Sequence, residues 1–395
     1  VNPAKLVVLI GNKPYVDVRN SFNSFTPVAL SKELREKLVS FYLDKLEKNP
    51  ELQDKVEFNI LFTCYDLCFE QRALELLETG FTGNEIEELR RAIIELTNNL
   101  IIKSKKSIEE DLKSLEEMKK TRADLKNKHP YNDAVFYLLS MAKFLLDDCR
   151  KRGTVQFSRL ARLGFVGKIL LESMIKKEII DNKFYDNFMN SINTVASDFK
   201  KDFILMNKGK IQKEDFIRKY YHLRPGSYDI TTLRYEDSPH LLKTSDFDIL
   251  EEDLEEFLID NIAKEKINAA LTEHGLNFNS ADLFNFTKSS LEARELSKFE
   301  FTKNLSDAIE LIAMAGELMG FTRQELAMLF VEDIFSDIKE RHELAEKWKK
   351  TIYDRKKQRE LNEKLELPPI IFSENDFDFI KYYTPKPNYI TQKKV

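Results

Sequence analysis

Residues 281–319 read ADLFNFTKSSLEARELSKFEFTKNLSDAIELIAMAGELM, and this stretch decides the fold class. Apolar side chains recur every three or four residues, with Leu291, Leu305, Ile309 and Ile312 as core positions. That is the period of a long α-helix. Gly320-Phe321-Thr322 stops it and opens a second helical pattern, Arg323 to Ile334. Residues 337–366 are highly charged, with Leu344, Trp348 and Ile352 as a sparse apolar stripe. Pro368-Pro369 closes the helical region. Tyr382 to Tyr389 reads as an extended linker, because Pro385 and Pro387 disfavour helix at and before themselves.

Toward the N-terminus, Asp246 to about Lys264 reads as an acidic amphipathic helix, and Ser158 to Lys177 forms a further helix. Residues 132–150 form an apolar helix that Gly153 breaks. Residues 84–128 make one or two long helices, and from Lys103 onward Ile108, Leu112, Leu115 and Met118 share one narrow stripe. Ser31 is placed to cap a helix carrying Leu34, Leu38 and Phe41. Strand signals are confined to the start. Leu6–Ile10 and Tyr15–Arg19 flank a turn at Gly11–Pro14, and a shorter strand-like run covers Phe58–Phe62. The class is mainly α, a multi-helix domain with a small β hairpin near the N-terminus. One helical domain is expected over 1–385, with a β-containing part at 1–70 and a helical body at 71–366. Residues 386–395 follow as a linker.

Composition limits the function. The net charge of −5 and the pI near 5.8 provide no global basic field to recruit nucleic acid or an anionic membrane. No apolar run approaches the roughly 20 residues that span a bilayer. No signal peptide is visible, and Cys64, Cys68 and Cys149 cannot build a disulfide framework, so a cytoplasmic setting is expected. Cys64 and Cys68 sit among Phe62, Leu67 and Phe69 and read as buried structural thiols. No phosphate-binding glycine loop, H-E-x-x-H or zinc spacing occurs, and no metal site is expected. The chain starts at Val1 and ends on Lys393-Lys394-Val395, and reads as a piece of a longer protein.

Four polar clusters stand out. The first puts Asp17, Arg19, Ser21 and Asn23 on one face of a continued strand, facing either solvent or a polar pocket. The second runs from Gly153 and Thr154 through Gln156 and Ser158 to Arg162. Ala161, Gly164 and Gly167 then make a small-residue face for a close neighbour, by pattern more often a helix than a ligand. The third is Tyr221-His222-Leu223-Arg224-Pro225-Gly226-Ser227-Tyr228-Asp229-Ile230. Its Pro-Gly turn presents charged and aromatic groups, as a binding loop or as an ordered surface turn. The fourth puts Arg294 and Lys298 in line with Leu291 and Leu305. Cations on a core-facing stripe need anions, supplied by Asp17, Asp66, Asp229 or a bound carboxylate or phosphate.

Together with Tyr65-Asp66-Leu67 and Ser191-Ile192-Asn193-Thr194-Val195, these clusters occur in an order that resembles one family. The chain is similar to the central region of phosphoenolpyruvate-synthase-like, phosphohistidine-dependent phosphotransferases, and within them to the glutamine kinases of capsular phosphoramidate biosynthesis. The resemblance runs from about Leu6 to Ile390, with Gln156 and Ser158 standing where many relatives have Pro and Ala. It implies that an ATP-grasp domain using ATP and Mg, and a swivelling phosphohistidine domain, flank this part in the same protein. It also implies that this part alone holds no cofactor and is inactive, and that it binds the acceptor, L-glutamine, phosphorylated on its amide oxygen. Under this resemblance His222, Arg224 and Asp229 are candidate catalytic residues. Asp17, Arg19, Ser21, Asn23, Asp66, Thr154, Arg162, Tyr228, Arg294 and Lys298 are candidates for substrate binding. The alternatives are the same architecture with another amide, a sugar or an antibiotic as acceptor, and a non-catalytic helical scaffold.

Overall fold

Gly11 and Asn12 take φ of +56° and +64° in the computed structural model. Two successive left-handed residues make the tight turn whose twist matches that of a hairpin. The turn joins β1 (Val7–Ile10) to β2 (Lys13–Val16), antiparallel, with Ile10 opposite Lys13 and Val7 opposite Val16. Lys13 and Pro14 thus belong to the strand and not to the turn. The strand also ends sooner than its sequence suggests. The Asp17 carboxylate accepts the Asn20 N–H at 3.0 Å and starts α1 (Val18–Asn23). Asp17, Arg19, Ser21 and Asn23 therefore do not share a strand face, because the side-chain period changes from two to 3.6 at Asp17.

The structure describes residues 6–126, 133–225, 228–238, 257–362, 364–377 and 381–382. Two compact units divide the chain. The first comprises residues 1–26, 31–61 and 349–395. Within it Phe22 of α1 packs edge-on against Tyr42 of α2 (Lys32–Lys48), centroids 5.9 Å apart, and Ser31 caps α2. A short α3 (Val56–Asn59) occupies the start of the strand-like run. Ile60 and Leu61 behind it are buried but unpaired in any sheet among the described residues, since an unbroken apolar run fits any buried backbone. A second ribbon, β3 (Leu365–Glu366) with β4 (Lys381–Tyr382), receives Lys13 Nζ on the Leu365 carbonyl. The Tyr15 hydroxyl donates to the Pro368 carbonyl at 2.7 Å.

The second unit comprises residues 27–30 and 62–348. Its helices are α4 (Phe69–Glu78), α5 (Gly83–Lys126), α6 (Ala134–Cys149), α7 (Val155–Lys176), α8 (Asn182–Asn190) and α9 (Val195–Asn207). They continue with α10 (Lys213–Tyr220), α11 (Asn261–Glu273), α12 (Ser280–Leu318), α13 (Arg323–Leu326) and α14 (Val331–Ile334). A final helix, α15 (Arg341–Asn362), runs from this unit into the first. Residues 84–126 form one helix and not two. Arg323 to Ile334 instead divides into two one-turn helices. Most of the expected acidic helix lies outside the described residues, and α11 begins later, behind an Asp260 cap. Pro225-Gly226 and the linker at 386–395 also fall, in part or wholly, outside them.

The 39-residue α12 packs against α5, α6 and α7. Enclosure from several sides buries Phe284, Phe286, Ile312 and Ala315, while Leu291, Leu305 and Ile309 are half-buried. Gly153 does not end α6. It lies in a π-helical turn, Arg150–Thr154, that passes directly into α7. Its role is clearance, since a Cβ there would collide with Phe301 of α12. Gly164 and Gly167 serve the same helix pairing. A Cβ on Gly164 would lie 3.0 Å from Leu291, and one on Gly167 would overlap the buried Thr287. All three cysteines are free and buried, and burial pushes Cys64 up to about 12 and Cys149 up to about 11, so both are inert thiols at neutral pH. Among the described residues no helix is long and apolar enough to cross a membrane. Gly167→Val should force α7 and α12 apart and lower the unfolding free energy by about 1–3 kcal/mol in urea denaturation. Unchanged stability would mean that the two helices do not meet at Gly167.

Candidate functional site

The third and fourth polar clusters meet on α12. Glu300, Asn304, Asp307 and Glu310 recur at helical spacing and are all buried. An unpaired carboxylate in such a position is costly, so each acquires a cationic or hydroxyl partner. Arg122 of α5 donates to Glu300 Oε2 at 3.0 Å and to Asn304 Oδ1 at 2.8 Å. Lys303 pairs with Glu300 at 2.7 Å. Asn304 reaches Asp148 of α6 at 3.3 Å, which in turn holds Arg152 at 3.0 Å. Asp307 accepts the Tyr221 hydroxyl at 3.0 Å and Arg234 at 3.4 Å. Glu310 holds Arg224 at 2.7 Å and also Arg323 of α13.

These pairs fold the loop after α10 inward. Arg224 is buried, and its Nη1 also donates to the carbonyls of Thr232 and, at 3.3 Å, Asp229. Burial would push the Glu310 carboxyl up, but the hydrogen bonds from Arg323 and Arg224 hold it below the usual range. Burial likewise opposes ionisation of Glu300, and Lys303 and Arg122 outweigh it. For Arg224 burial dominates and lowers the guanidinium's pKa, although Glu310 opposes it.

His222 is fully buried against Phe299, centroids 4.7 Å apart, and among the described residues neither ring nitrogen has a partner in hydrogen-bonding geometry. Burial, then the nearby charges of Lys303 and Arg122, push the imidazole down to about 2, against an opposing contribution from the Phe299 backbone. The ring is neutral at physiological pH and enclosed. Asp229 is exposed and accepts the Thr231 N–H at 2.7 Å, closing a local turn. Tyr228 is half-buried, and burial raises its phenol against an opposing hydrogen bond with Thr302.

The other expected residues are dispersed. Asp17, Arg19, Ser21 and Asn23 belong to the first unit, at α1, where Arg19 and Asn23 are exposed. The remainder belong to the second. Asp66 is buried, accepting the Cys68 N–H at 2.8 Å and Arg72 at 2.9 Å, and so shapes the start of α4. Thr154 is exposed and bonds the Arg150 carbonyl at 2.9 Å within the π turn. Arg162 is exposed on α7. Arg294 pairs with its neighbour Glu295, and not with Asp17, Asp66 or Asp229. Its guanidinium lies 5.6 Å from the centre of the Phe157 ring, which packs on Phe301 at 5.6 Å. Among the described residues Arg294 Nε is enclosed without a partner, and Lys298 is exposed one turn further on. The seam between α7 and α12 therefore brings the stretch containing Phe157 onto the stretch containing Arg294.

The sequence reading missed Arg122, Glu300, Asp307, Glu310 and Arg323. For Glu300, Asp307 and Glu310 the signal is their three- and four-residue spacing along α12; Arg122 and Arg323 carry no such signal. Separately, α5, the start of α9 and α12 enclose a groove of about 1040 Å³. None of the candidate residues lines it, although Asn193 and Val195 of one quoted stretch do. Among the described residues no group of three or more His, Cys, Asp or Glu side chains could hold a metal ion. No family model, curated protein or solved structure matches the chain.

Glu310→Ala should destabilise the chain by about 3–5 kcal/mol in denaturant titration, because it strands Arg224 in the interior. Lys298→Ala, at an exposed position, should stay within about 0.5 kcal/mol of wild type. Equal effects would remove the network from the core. His222 provides a pH test. Unfolding returns its pKa to the ordinary 6.5, so between pH 6.5 and 5 the unfolded chain binds a proton that the folded chain does not. Stability therefore falls as pH falls through that window, by up to about 1.4 kcal/mol per unit from this residue. His222→Phe should flatten the profile, and an unaltered slope would contradict the enclosure of His222.

Proposed function

We propose that this chain is the central, acceptor-binding part of a phosphohistidine-dependent phosphotransferase, with L-glutamine as the acceptor and its amide oxygen as the phosphorylated atom. The flanking parts of such an enzyme carry the ATP-grasp and phosphohistidine domains, with ATP and Mg in the former. The observation that carries the reading is the α7–α12 seam, where Arg294 keeps an enclosed, unpartnered Nε beside the aromatic Phe157 and one turn from exposed Lys298. An arginine so placed is suited to the carboxylate of an amino acid or to a phosphoryl oxygen, because hydrogen bonds from a guanidinium to such anions are charge-assisted and strong. The π turn at Arg150–Thr154 opens the same seam, and π-bulges recur at functional sites. Phosphoryl transfer demands positioning and charge neutralisation from an acceptor domain more than covalent participation. In this reading Arg294 and Lys298 anchor the acceptor. Arg224 and His222 act from behind, by holding the loop that carries Tyr228 and Asp229.

The inward position of His222 and Arg224 favours a second reading, a non-catalytic helical scaffold in which the same network serves stability alone. Calorimetric titration separates the two. L-glutamine should bind the chain in preference to L-glutamate, and Arg294→Ala should weaken binding by about ten- to a hundredfold with the fold intact. Binding of another amide in place of L-glutamine would replace the acceptor and keep the site. No heat with any amide, or an unchanged affinity in Arg294→Ala, would favour the scaffold.

A further inference from the structure

The groove between α5 and α12 is acidic. Among the described residues Glu109, Asp198, Asp282 and Glu292 line it against Lys105 as the one lining cation. It is also partly apolar, since Ile102 and Leu296 are 57% and 40% exposed on its walls. Along α5 it runs from Ile101 to Leu112, about 16 Å at the helical rise.

A surface of opposite character lies on α15. Leu344, Trp348 and Ile352 turn one face inward. The opposite face, at three- and four-residue spacing, carries Lys349, Lys350, Tyr353, Lys356, Lys357 and Leu361, with the exposed carboxylate of Glu360 beside them. All six are exposed, Tyr353 by 78% and Leu361 by 60%. Lys349 to Leu361 spans about 18 Å of helix, close to the length of the groove. Four ammonium groups against one carboxylate, around an aromatic and an aliphatic side chain, complement a groove with four carboxylates against one ammonium, around two exposed aliphatics.

We propose that the basic face of α15 from a second copy of this chain occupies the α5–α12 groove, so that the chain self-associates. Lys349, Lys350, Lys356 and Lys357 meet the rim carboxylates, and Tyr353 and Leu361 cover Ile102 and Leu296. Each copy bears both surfaces, so the contact closes in reciprocal pairs or extends from copy to copy. The inference is independent of the acceptor site, whose Arg294 and Lys298 do not line the groove.

Sedimentation velocity tests it. The 46.4 kDa chain should show a concentration-dependent rise to twice that mass or more, diminished by salt. Combined Lys349→Glu, Lys350→Glu, Lys356→Glu and Lys357→Glu changes should weaken association about a hundredfold. Glu109→Lys with Leu296→Lys should do the same from the other side, and mixing the two variants should restore a heteromeric complex. A wild-type chain that stays monomeric at every concentration would overturn the proposal. So would undiminished association in the lysine-reversed chain, whose altered positions are all exposed and leave folding intact. Loss in the lysine-reversed chain without loss in a folded groove variant would also overturn it, by moving the partner surface elsewhere.

Discussion

The second unit is organised around carboxylates that α12 carries into the interior. A buried carboxylate forces its surroundings to supply cations, and here they come from far apart in sequence. Arg122 comes from α5, Arg224 and Arg234 from the loop after α10, and Arg323 from α13. Each pair fixes the element that bears the cation to one position along α12. Removing a single member leaves its partner charged and dry, which costs more than the intact pair contributes. The inward fold of the loop, the enclosure of His222 and the placing of Tyr228 near Thr302 follow from that constraint.

A second constraint is steric and acts on the other side of α12. Three glycines remove the side chains that would hold α7 away, and the π turn before α7 brings Gly153 against Phe301. The close pairing leaves a seam in which Arg294 is half-enclosed against Phe157. Its local partner, Glu295, engages only Nη1, so part of its donor capacity is unused. That unused capacity is the physical basis on which an acceptor site is proposed at this seam.

Much of the helical architecture was legible in the sequence, and the reasons are local. The apolar period of residues 281–319 gave α12 to within a residue at each end, and Leu344, Trp348 and Ile352 gave the buried face of α15. The small-residue face of α7 was legible as a packing surface. The reading failed where a local signal had two physical uses. Asp17 continued an alternating pattern but ends the strand as a helix cap. Gly153 resembled a helix breaker but is a clearance for Phe301. The apolar Ile60 and Leu61 resembled a strand but are buried coil. The candidate site was less legible. His222 and Arg224 have the composition of a binding loop, yet Glu310 and Phe299 draw them inward, and no sequence spacing relates residues so far apart.

The most direct measurement of the acceptor assignment is hydrogen–deuterium exchange of the chain with and without saturating L-glutamine. The account predicts added protection in peptides covering residues 150–162 and 291–302, on the two sides of the seam, with residues 101–112, the α5 wall of the groove, unchanged. No change on adding L-glutamine, or protection confined to segments away from Arg294 and Phe157, would contradict it.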